Sequence, residues 1–246
     1  MPVFLGRLPV KVDVDRLFSG ADQMEMVFSG EAMQVAPAPS ATLPQYKGFD
    51  VLEIPAQWPT NLKRQYNRSM ISIDPKVGPV TVIDQGGSPY VSQPFPMLLT
   101  NHAQVTQLRA FLLARFGKLR PFWLPTWDQD LVLALDINSS DTGIKIQSEF
   151  YTRFMFPNKA RRYVALIPTD LSGNLYHQVV SSLDNGDGTE TLQFDSPIGR
   201  TMSKAQTMIS FLVFARLDSD DLEIDWLNND LAQVTLEFQE LPREVP

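Results

Sequence analysis

Two carboxylates, Asp128 and Asp130, are the first residues of this sequence whose type and spacing could do chemistry. On a β-strand, side chains two residues apart share one face. A pair of carboxylates held about 5–10 Å apart can hydrolyse a glycosidic bond. Asp is equally common in turns, and a turn after Trp127 is the favoured interpretation. A β-rich hydrolase that uses both residues stays open as an alternative.

Few other residues could carry chemistry. The chain has no cysteine and two histidines, His102 and His177, which lie far apart in sequence. The lack of cysteine excludes disulfide scaffolds, cysteine-ligated zinc, iron–sulfur clusters and thiol nucleophiles. The loop at residues 184–188 lacks the spacing and the terminal glutamate of a calcium loop and is typical of a hairpin turn. No phosphate-binding, serine-hydrolase or zinc-protease motif is present. We therefore predict no catalytic residue, no metal site and no cofactor.

The charge balance argues against a protein that grips duplex DNA. Lys and Arg number 21 against 28 Asp and Glu, a formal net charge of −7. Proteins that read DNA usually present a basic face instead. No stretch has the pattern of a secretory signal, and none approaches the roughly 20 apolar residues of a membrane helix. We expect synthesis in a cytoplasm and no membrane insertion.

One amphipathic helix, at about residues 101–116, is the clearest element that could position these side chains. Asn101 can accept hydrogen bonds from the first turn, with Gln104 at the capping-box position. Gly117 suits the left-handed residue that ends a helix. An amphipathic helix must lay its apolar stripe on a partner, which we expect to be the surrounding strands. The stripe at helical spacing consists of Val105, Leu108, Phe111, Leu112 and Phe116.

Most of the remaining sequence is typical of strands separated by turns. The pattern therefore predicts a mainly β protein with one flanking amphipathic helix (α+β). We infer a discontinuous first domain, residues 1–136 and 206–246, with a second β-domain of residues 137–205 inserted in it. The predicted strands include residues 70–73, 80–83, 131–135, 144–156, 163–167, 175–181, 191–194, 208–217, 222–226 and 233–241.

A proline-rich segment at residues 36–44 has two interpretations. Closely spaced prolines favour an extended arm. Linkers of this composition are common, so a surface loop is favoured over an arm laid on a neighbouring subunit.

Aromatic residues near the basic pair at 161–162 could stack on bases or sugars. Phe150, Phe154 and Phe156 are two or four residues apart, which is typical of one buried face of a strand, and a core role is favoured. Tyr151 and Tyr163 remain candidate glycan contacts. A carbohydrate-binding module that uses them is therefore an alternative function.

The helix and the run after it resemble minor tail proteins of long-tailed bacteriophages. In that family a helix ending in an Ala-Arg-x-Gly-like turn is followed by an aromatic strand and an acidic, aromatic-flanked turn. The segment at 66–68 and the ending at 222–244 also look similar, whereas residues 137–205 and the first 45 residues are not covered. The motif residues are Leu108, Phe111, Leu112, Arg115, Gly117, Phe122, Trp123, Trp127 and Asp130.

The resemblance implies a virion structural protein at the distal end of the tail. Distal tail proteins form hexameric rings that join the tail tube to the hub, baseplate and fibres. They carry a β-barrel or sandwich with a flanking helix, often with a second β-domain. The implied partners are further copies of the chain and the tube, hub and fibre proteins, with DNA passing without specific binding. A component of a trimeric tail hub is the alternative within the same assembly, and no catalytic residues carry over.

Overall fold

The computed structural model describes residues 10–11, 27–28, 43–57, 65–68, 70–84, 90–170, 172–219 and 223–246. The chain divides into two units, Met1–Ala38 and Pro39–Pro246. In the first unit, β1 (Val10–Lys11) pairs with β2 (Val27–Phe28). Most of the proline-rich segment predicted at 36–44 lies outside the described residues.

The second unit is mainly β with one long helix and a large antiparallel sheet, which confirms the predicted fold class. A π-helical turn spans Tyr151–Met155, and 3-10 turns span Gly117–Leu119, Lys159–Arg161 and Lys204–Gln206. The other elements are β3 (Gln45–Tyr46), β4 (Phe49–Asp50), β5 (Gln65–Asn67), β6 (Met70–Ile73), β7 (Thr81–Asp84), β8 (Tyr90–Leu99), α1 (His102–Arg115), β9 (Phe122–Pro125), β10 (Gly143–Gln147), β11 (Tyr163–Pro168), β12 (Leu175–Asp184), β13 (Thr189–Phe194), β14 (Thr207–Leu217), β15 (Ile224–Trp226) and β16 (Ala232–Glu240).

The large sheet has the order β10-β13-β12-β11-β14-β16-β8-β5, with β9 paired to β14 and β15 paired to β16. β14 has different neighbours along its length: β11 at residues 207–211, β9 at 212–215 and β16 at 215–217. Successive side chains of a strand point to opposite faces, and nearly every residue of β14 is buried. β14 is therefore covered on both faces and is the central strand of the sheet.

Isolated pairings connect strands that are distant in this order. Leu131 pairs with Ile209 of β14, and Leu133 pairs with Ile146 of β10. On the other side, Val51 pairs with Trp123 of β9, while Ala56 pairs with Met97 of β8. Residues 131–133 thus connect β14 to β10, and residues 51–56 connect β9 to β8.

Three hydrophobic clusters form the core, and β14 contributes to each. Core 1 lies between α1 and the sheet of β8 and β16, and includes Ala215 and Leu217. Core 2 lies among β10 to β13 and includes Ile209, Phe211 and Val213. Core 3 includes Leu212 and Phe214 from the opposite face of β14, together with Val51, Trp123, Tyr163 and Leu241.

The predicted helix forms as α1. The Asn101 side chain accepts a hydrogen bond from the backbone N–H of Gln104 at 2.9 Å, as the sequence predicts. Val105, Leu108 and Phe111 are buried in core 1, while Leu112 is half-buried and packs against it.

The last residue of the predicted apolar stripe departs from the prediction. Phe116 is 40% exposed, because it adopts the left-handed conformation (φ 52°) before Gly117 does (φ 60°). The helix therefore ends at Arg115, one residue before Phe116, and this ring leaves the buried stripe.

Two predicted strands are wrong in part. At residues 131–135, alternating leucines with apolar neighbours predict a strand covered on both faces. Leu131 and Leu133 are buried, but the chain then turns away and leaves Leu135 57% exposed. At residues 144–156, the strand ends at Gln147 and the π-helical turn follows. Phe150 and Phe154 are consequently 60% and 63% exposed rather than buried, because their spacing of four also fits one helical turn. Phe156 is half-buried against core 2.

Because β14 belongs to all three cores, we expect core 2 to unfold together with the rest of the second unit. Replacing the buried Leu192 of β13 with Ala should lower the free energy of unfolding by about 2–5 kcal/mol. Tryptophan fluorescence and far-ultraviolet circular dichroism should report one coincident transition, since β14 serves all three cores.

The matched control is Leu183→Ala in β12, whose side chain is 63% exposed; it should change stability by less than about 0.5 kcal/mol. Two separated transitions, with the mutation shifting one of them, would instead show that residues 137–205 fold as an autonomous inserted domain.

Candidate functional site

Two of the motif residues that carry the family resemblance, Arg115 and Trp123, form a buried joint between α1, the β3–β4 hairpin and β9. Arg115 is the last residue of α1, and its guanidinium donates to the Asp50 carboxylate and to the carbonyl of Pro121 at 3.0 Å. The side chains of Arg115 and Asp50 are 4% and 0% exposed. Gln45 donates to the other Asp50 oxygen at 3.2 Å. One ion pair thus ties the helix end to the β3–β4 hairpin and to the residue before β9.

The electrostatics of this pair follow from its burial. Removing two charges from water is costly, and their attraction offsets that cost only when the geometry is good. Burial lowers the pKa of the Arg115 guanidinium, and the Asp50 carboxylate acts in the opposite direction. The guanidinium carbon also lies 5.1 Å from the centre of the Phe111 ring. Both side chains are shielded from bulk water. Water therefore cannot solvate either charge if the other charge is removed.

Trp123 anchors the second half of the joint. Its indole N–H donates to the carbonyl of Tyr46 at 3.0 Å. The ring centre lies 4.8 Å from the rings of Tyr163 and Phe214. Phe122, the preceding residue, points the other way into core 1 and meets Phe111 edge to face at 5.0 Å. β9 therefore joins core 1 to core 3 through consecutive aromatic residues.

The β3–β4 hairpin is the part of this joint that sequence reasoning missed. Its turn uses two left-handed residues, Lys47 (φ 49°) and Gly48 (φ 83°), as two-residue hairpins commonly do. Tyr46 packs against Trp123, and Asp50 holds Arg115. A Lys-Gly pair between Tyr46 and Phe49 is the signal in the sequence that could have indicated the hairpin.

Asp130 holds the loop after Trp127 against β14. Its carboxylate accepts from the backbone N–H of Phe211 at 2.8 Å and from the hydroxyl of Thr126. Trp127 itself is left-handed (φ 55°) and packs against core 1. The carbonyl of Asp128 accepts from the hydroxyl of Ser210 at 2.6 Å. The carboxylate of Asp130 is thus engaged by the backbone of its own fold.

The two tyrosines predicted as glycan contacts are buried. Tyr151 is 0% exposed and its hydroxyl donates to the carbonyl of Arg161 at 2.9 Å. Tyr163 is 3% exposed and its hydroxyl donates to the carbonyl of Pro246. Burial raises the pKa of both phenols. Neither ring presents a free face to a sugar, so their placement does not support that prediction.

Glu190 is a buried carboxylate that the sequence analysis did not single out. It is 1% exposed and accepts from the hydroxyl of Ser148 at 3.0 Å and from the backbone N–H groups of Tyr151 at 3.0 Å and Thr152 at 2.6 Å. Burial alone would raise its pKa, but the hydrogen bonds from Thr152, Ser148 and Tyr151 outweigh it, and the pKa lies below its ordinary value. Glu190 therefore fixes the π-helical turn that exposes Phe150.

Further polar contacts join residues 137–205 to the rest of the second unit. Arg161 donates to both carboxylate oxygens of Glu240 in β16 at 3.1 Å. The Glu53 carboxylate accepts from Asn174 at 3.1 Å and from the Tyr176 hydroxyl. Arg161 is thus part of a half-buried contact that joins the 3-10 turn at Lys159–Arg161 to β16.

Within the part of the chain that the structure describes, no three His, Asp or Glu side chains group as a metal site. None of the described helices is long and apolar enough to cross a membrane. No family model and no curated protein sequence matches the chain.

We expect the loss of the buried ion pair to lower the free energy of unfolding far more than the loss of an exposed ion pair. Asp50→Asn leaves Arg115 buried without a counter-charge and should cost about 3–5 kcal/mol of unfolding free energy. The control is Asp84→Asn, which breaks the exposed pair with Arg68, whose side chains are 28% and 50% exposed; its cost should stay below about 1 kcal/mol. Urea unfolding of both variants measures the difference, and equal losses would contradict the assigned role.

We expect the Glu190 carboxylate to make a pH-dependent contribution to the free energy of unfolding. Because its folded pKa lies below the ordinary value of 4.5, its contribution is present above pH 4.5 and is lost as pH falls through the lower folded value. Glu190→Gln should therefore cost about 1–3 kcal/mol at pH 7, with a gap to the native protein that shrinks below pH 4.5. Urea unfolding from pH 7 to pH 3 measures this gap, and a gap that widens on acidification would contradict the assignment.

Proposed function

We propose that the protein is a structural subunit at the distal end of a bacteriophage tail, where copies form a ring that joins the tail tube to the hub, baseplate and fibres. The observation that carries this proposal is an exposed apolar hairpin, β6–β7, which suits a chain completed by assembly. The resemblance of residues 107–117 and 121–130 to minor tail proteins supports a phage tail as the assembly.

The hairpin pairs only with itself among the described strands. Ile71 lies directly opposite Ile83, so Ile71, Ile73 and Ile83 share one face and are 41%, 50% and 46% exposed. An isolated two-stranded hairpin is only marginally stable in water. Exposed apolar patches and open strand edges mark sites where another chain binds. A neighbouring subunit or tail protein would cover this face.

The pairings around β14 support a double β-barrel, with α1 flanking the barrel that contains β8 and β16. From β14, one path of paired strands passes through β11, β12, β13 and β10 to residues 131–134 and returns to β14. A second path passes through β9, residues 51–57, β8 and β16. Closed barrels leave few strand edges without a partner. A ring subunit of this kind would contact its neighbours at specific surfaces and not through open strand edges. The inserted second β-domain of residues 137–205 corresponds to most of the first path.

The motif residues support a structural rather than a catalytic role. Arg115, Trp123 and Asp130 each bond to groups of the fold itself. Their side chains hold the helix, a hairpin and β14 together.

A carbohydrate-binding role is the second candidate, and one observation favours it. Phe150 and Phe154 are exposed at the same turn, with ring centres 6.2 Å apart and Arg153 over the Phe154 ring at 5.1 Å. Exposed aromatic rings beside a cation could contact sugars on the host surface. The planes of the two rings cross at 69°, so they do not form one flat platform.

Imaging tests the proposed ring directly. Purified protein, at a monomer mass of 27.7 kDa, should form six-subunit rings in negative-stain micrographs, with a matching mass by light scattering. Trimers would favour the hub instead, and a chain that remains monomeric with or without tube protein would contradict both.

The hairpin variant Ile71→Asp should weaken assembly at least about tenfold. It should leave the protein folded, because the Ile71 side chain is already partly exposed to water. Leu183→Asp, on an exposed β12 position, is the matched control and should leave assembly unchanged. Sedimentation velocity measures both, and full assembly of the Ile71 variant would remove the hairpin from the interface.

A further inference from the structure

The C-terminal end of α1 carries a surface patch that is both basic and apolar. Between Asp84 and Asp128 the sequence has no acidic residue, although the whole chain has a net charge of −7. Leu113 and Leu119 are 75% and 73% exposed, and Phe116 is 40% exposed. We call this the basic patch; it consists of Arg109, Leu113, Phe116, Lys118, Leu119 and Arg120.

The N-terminal end of the same helix lies beside a patch of the opposite charge. Between Arg216 and Arg243 the sequence has no Lys or Arg. The His102 ring lies 5.2 Å from the Trp226 ring, and its Nε2 atom is 3.8 Å from the Asp230 carboxylate. Trp226 and Leu227 are 43% and 57% exposed. We call this the acidic patch; it consists of Glu223, Asp225, Trp226, Leu227 and Asp230, all exposed.

Stabilisation of α1 by nearby cations explains only part of the basic patch. Cations near a helix C-terminus interact favourably with its dipole, which gives Lys118 and Arg120 a local role. The dipole gives no reason to expose two leucines beside them. Phe116 also holds a left-handed backbone (φ 52°), which is unfavourable for a bulky residue. Exposed apolar groups at both ends of α1 therefore point to a binding partner.

We propose that the basic patch of one copy binds the acidic patch of the next copy, so that the chains associate head to tail along α1. This proposal rests on the proposed ring and identifies one of its subunit contacts. The helix has 14 residues, so the patches lie about 20 Å apart. Both patches pair apolar side chains with charges of opposite sign, which provides attraction and orientation together.

The proposed ring, together with the charges, selects the symmetry of the contact. A two-fold contact with antiparallel helices would also pair each basic patch with the acidic patch of the other copy, but it would stop at a dimer. A head-to-tail contact joins one basic patch to one acidic patch, and repeated rotation closes such a contact into a ring. A native chain that stops at dimers would therefore overturn the head-to-tail arrangement. Because these charges are exposed, raising the salt concentration should weaken association.

A complementation experiment tests the head-to-tail arrangement. One variant, Leu113→Ser with Leu119→Ser, loses the apolar part of the basic patch. The other, Trp226→Ser with Leu227→Ser, loses that of the acidic patch. Each variant alone should associate at least about tenfold more weakly than the native chain. Mixed in equal amounts, they retain one intact pair of patches and should form a heterodimer that grows no further, as measured by sedimentation velocity.

The control Leu183→Ser removes an exposed leucine of β12 outside both patches and should assemble like the native chain. Circular dichroism and urea unfolding confirm that every variant is folded. Variants that assemble fully would overturn this contact while leaving the proposed ring intact. A mixture that stays monomeric while the native chain assembles would also overturn it. A native chain that is monomeric up to about 1 mM, with a monomeric mixture, would overturn both the contact and the ring; a heterodimer without a native ring would overturn ring closure alone.

Discussion

β14 is shared by all three hydrophobic cores, and this sharing constrains the rest of the second unit. Its odd-numbered residues from 209 to 213 enter core 2, and residues 215 and 217 enter core 1. On the opposite face, Leu212 and Phe214 enter core 3. A strand buried on both faces has little freedom to slip, because a shift of one residue would exchange its faces. The register of β9, β11 and β16 is therefore fixed by one element, and so is the end of α1 that packs on β9.

The buried polar groups act at the places where irregular chain meets this sheet. Arg115 closes the helix end, Asp130 holds the loop after β9, and Glu190 holds the π-helical turn. Each satisfies backbone groups or a charge that burial would otherwise leave without a partner. The cost of burying these groups is offset by hydrogen bonds within the fold, which makes them determinants of one specific packing.

Sequence reasoning succeeds here where the signal is local. The helix cap at Asn101, the stripe from Val105 to Phe111 and the hairpin between β12 and β13 all depend on residues within a few positions of each other. The mainly β class follows from the same local patterns.

Where the outcome depends on distant residues, the sequence is a poor guide. Glu190 lies 38 positions from Thr152, whose backbone and hydroxyl it binds, and this contact replaces the predicted strand with a helical turn. Asp50 lies 65 positions from Arg115, and nothing near the helix predicts that partner. The exposure of Leu135 likewise depends on the pairing of the preceding residues with β14 and β10. Burial patterns at such positions are set by tertiary contacts that one sequence does not display.

The position of β14 in the chain, at Thr207–Leu217, also determines the order of folding during synthesis. Core 1 needs Ala215 and Leu217, and core 2 needs Ile209 and Phe211. A ribosome must therefore release most of the chain before either core can close, which leaves the earlier strands unpaired on the nascent polypeptide. Long-range pairing of this kind is slow and exposes nascent strands to aggregation. The strands made before β14 therefore stay exposed to aggregation for the longest part of synthesis.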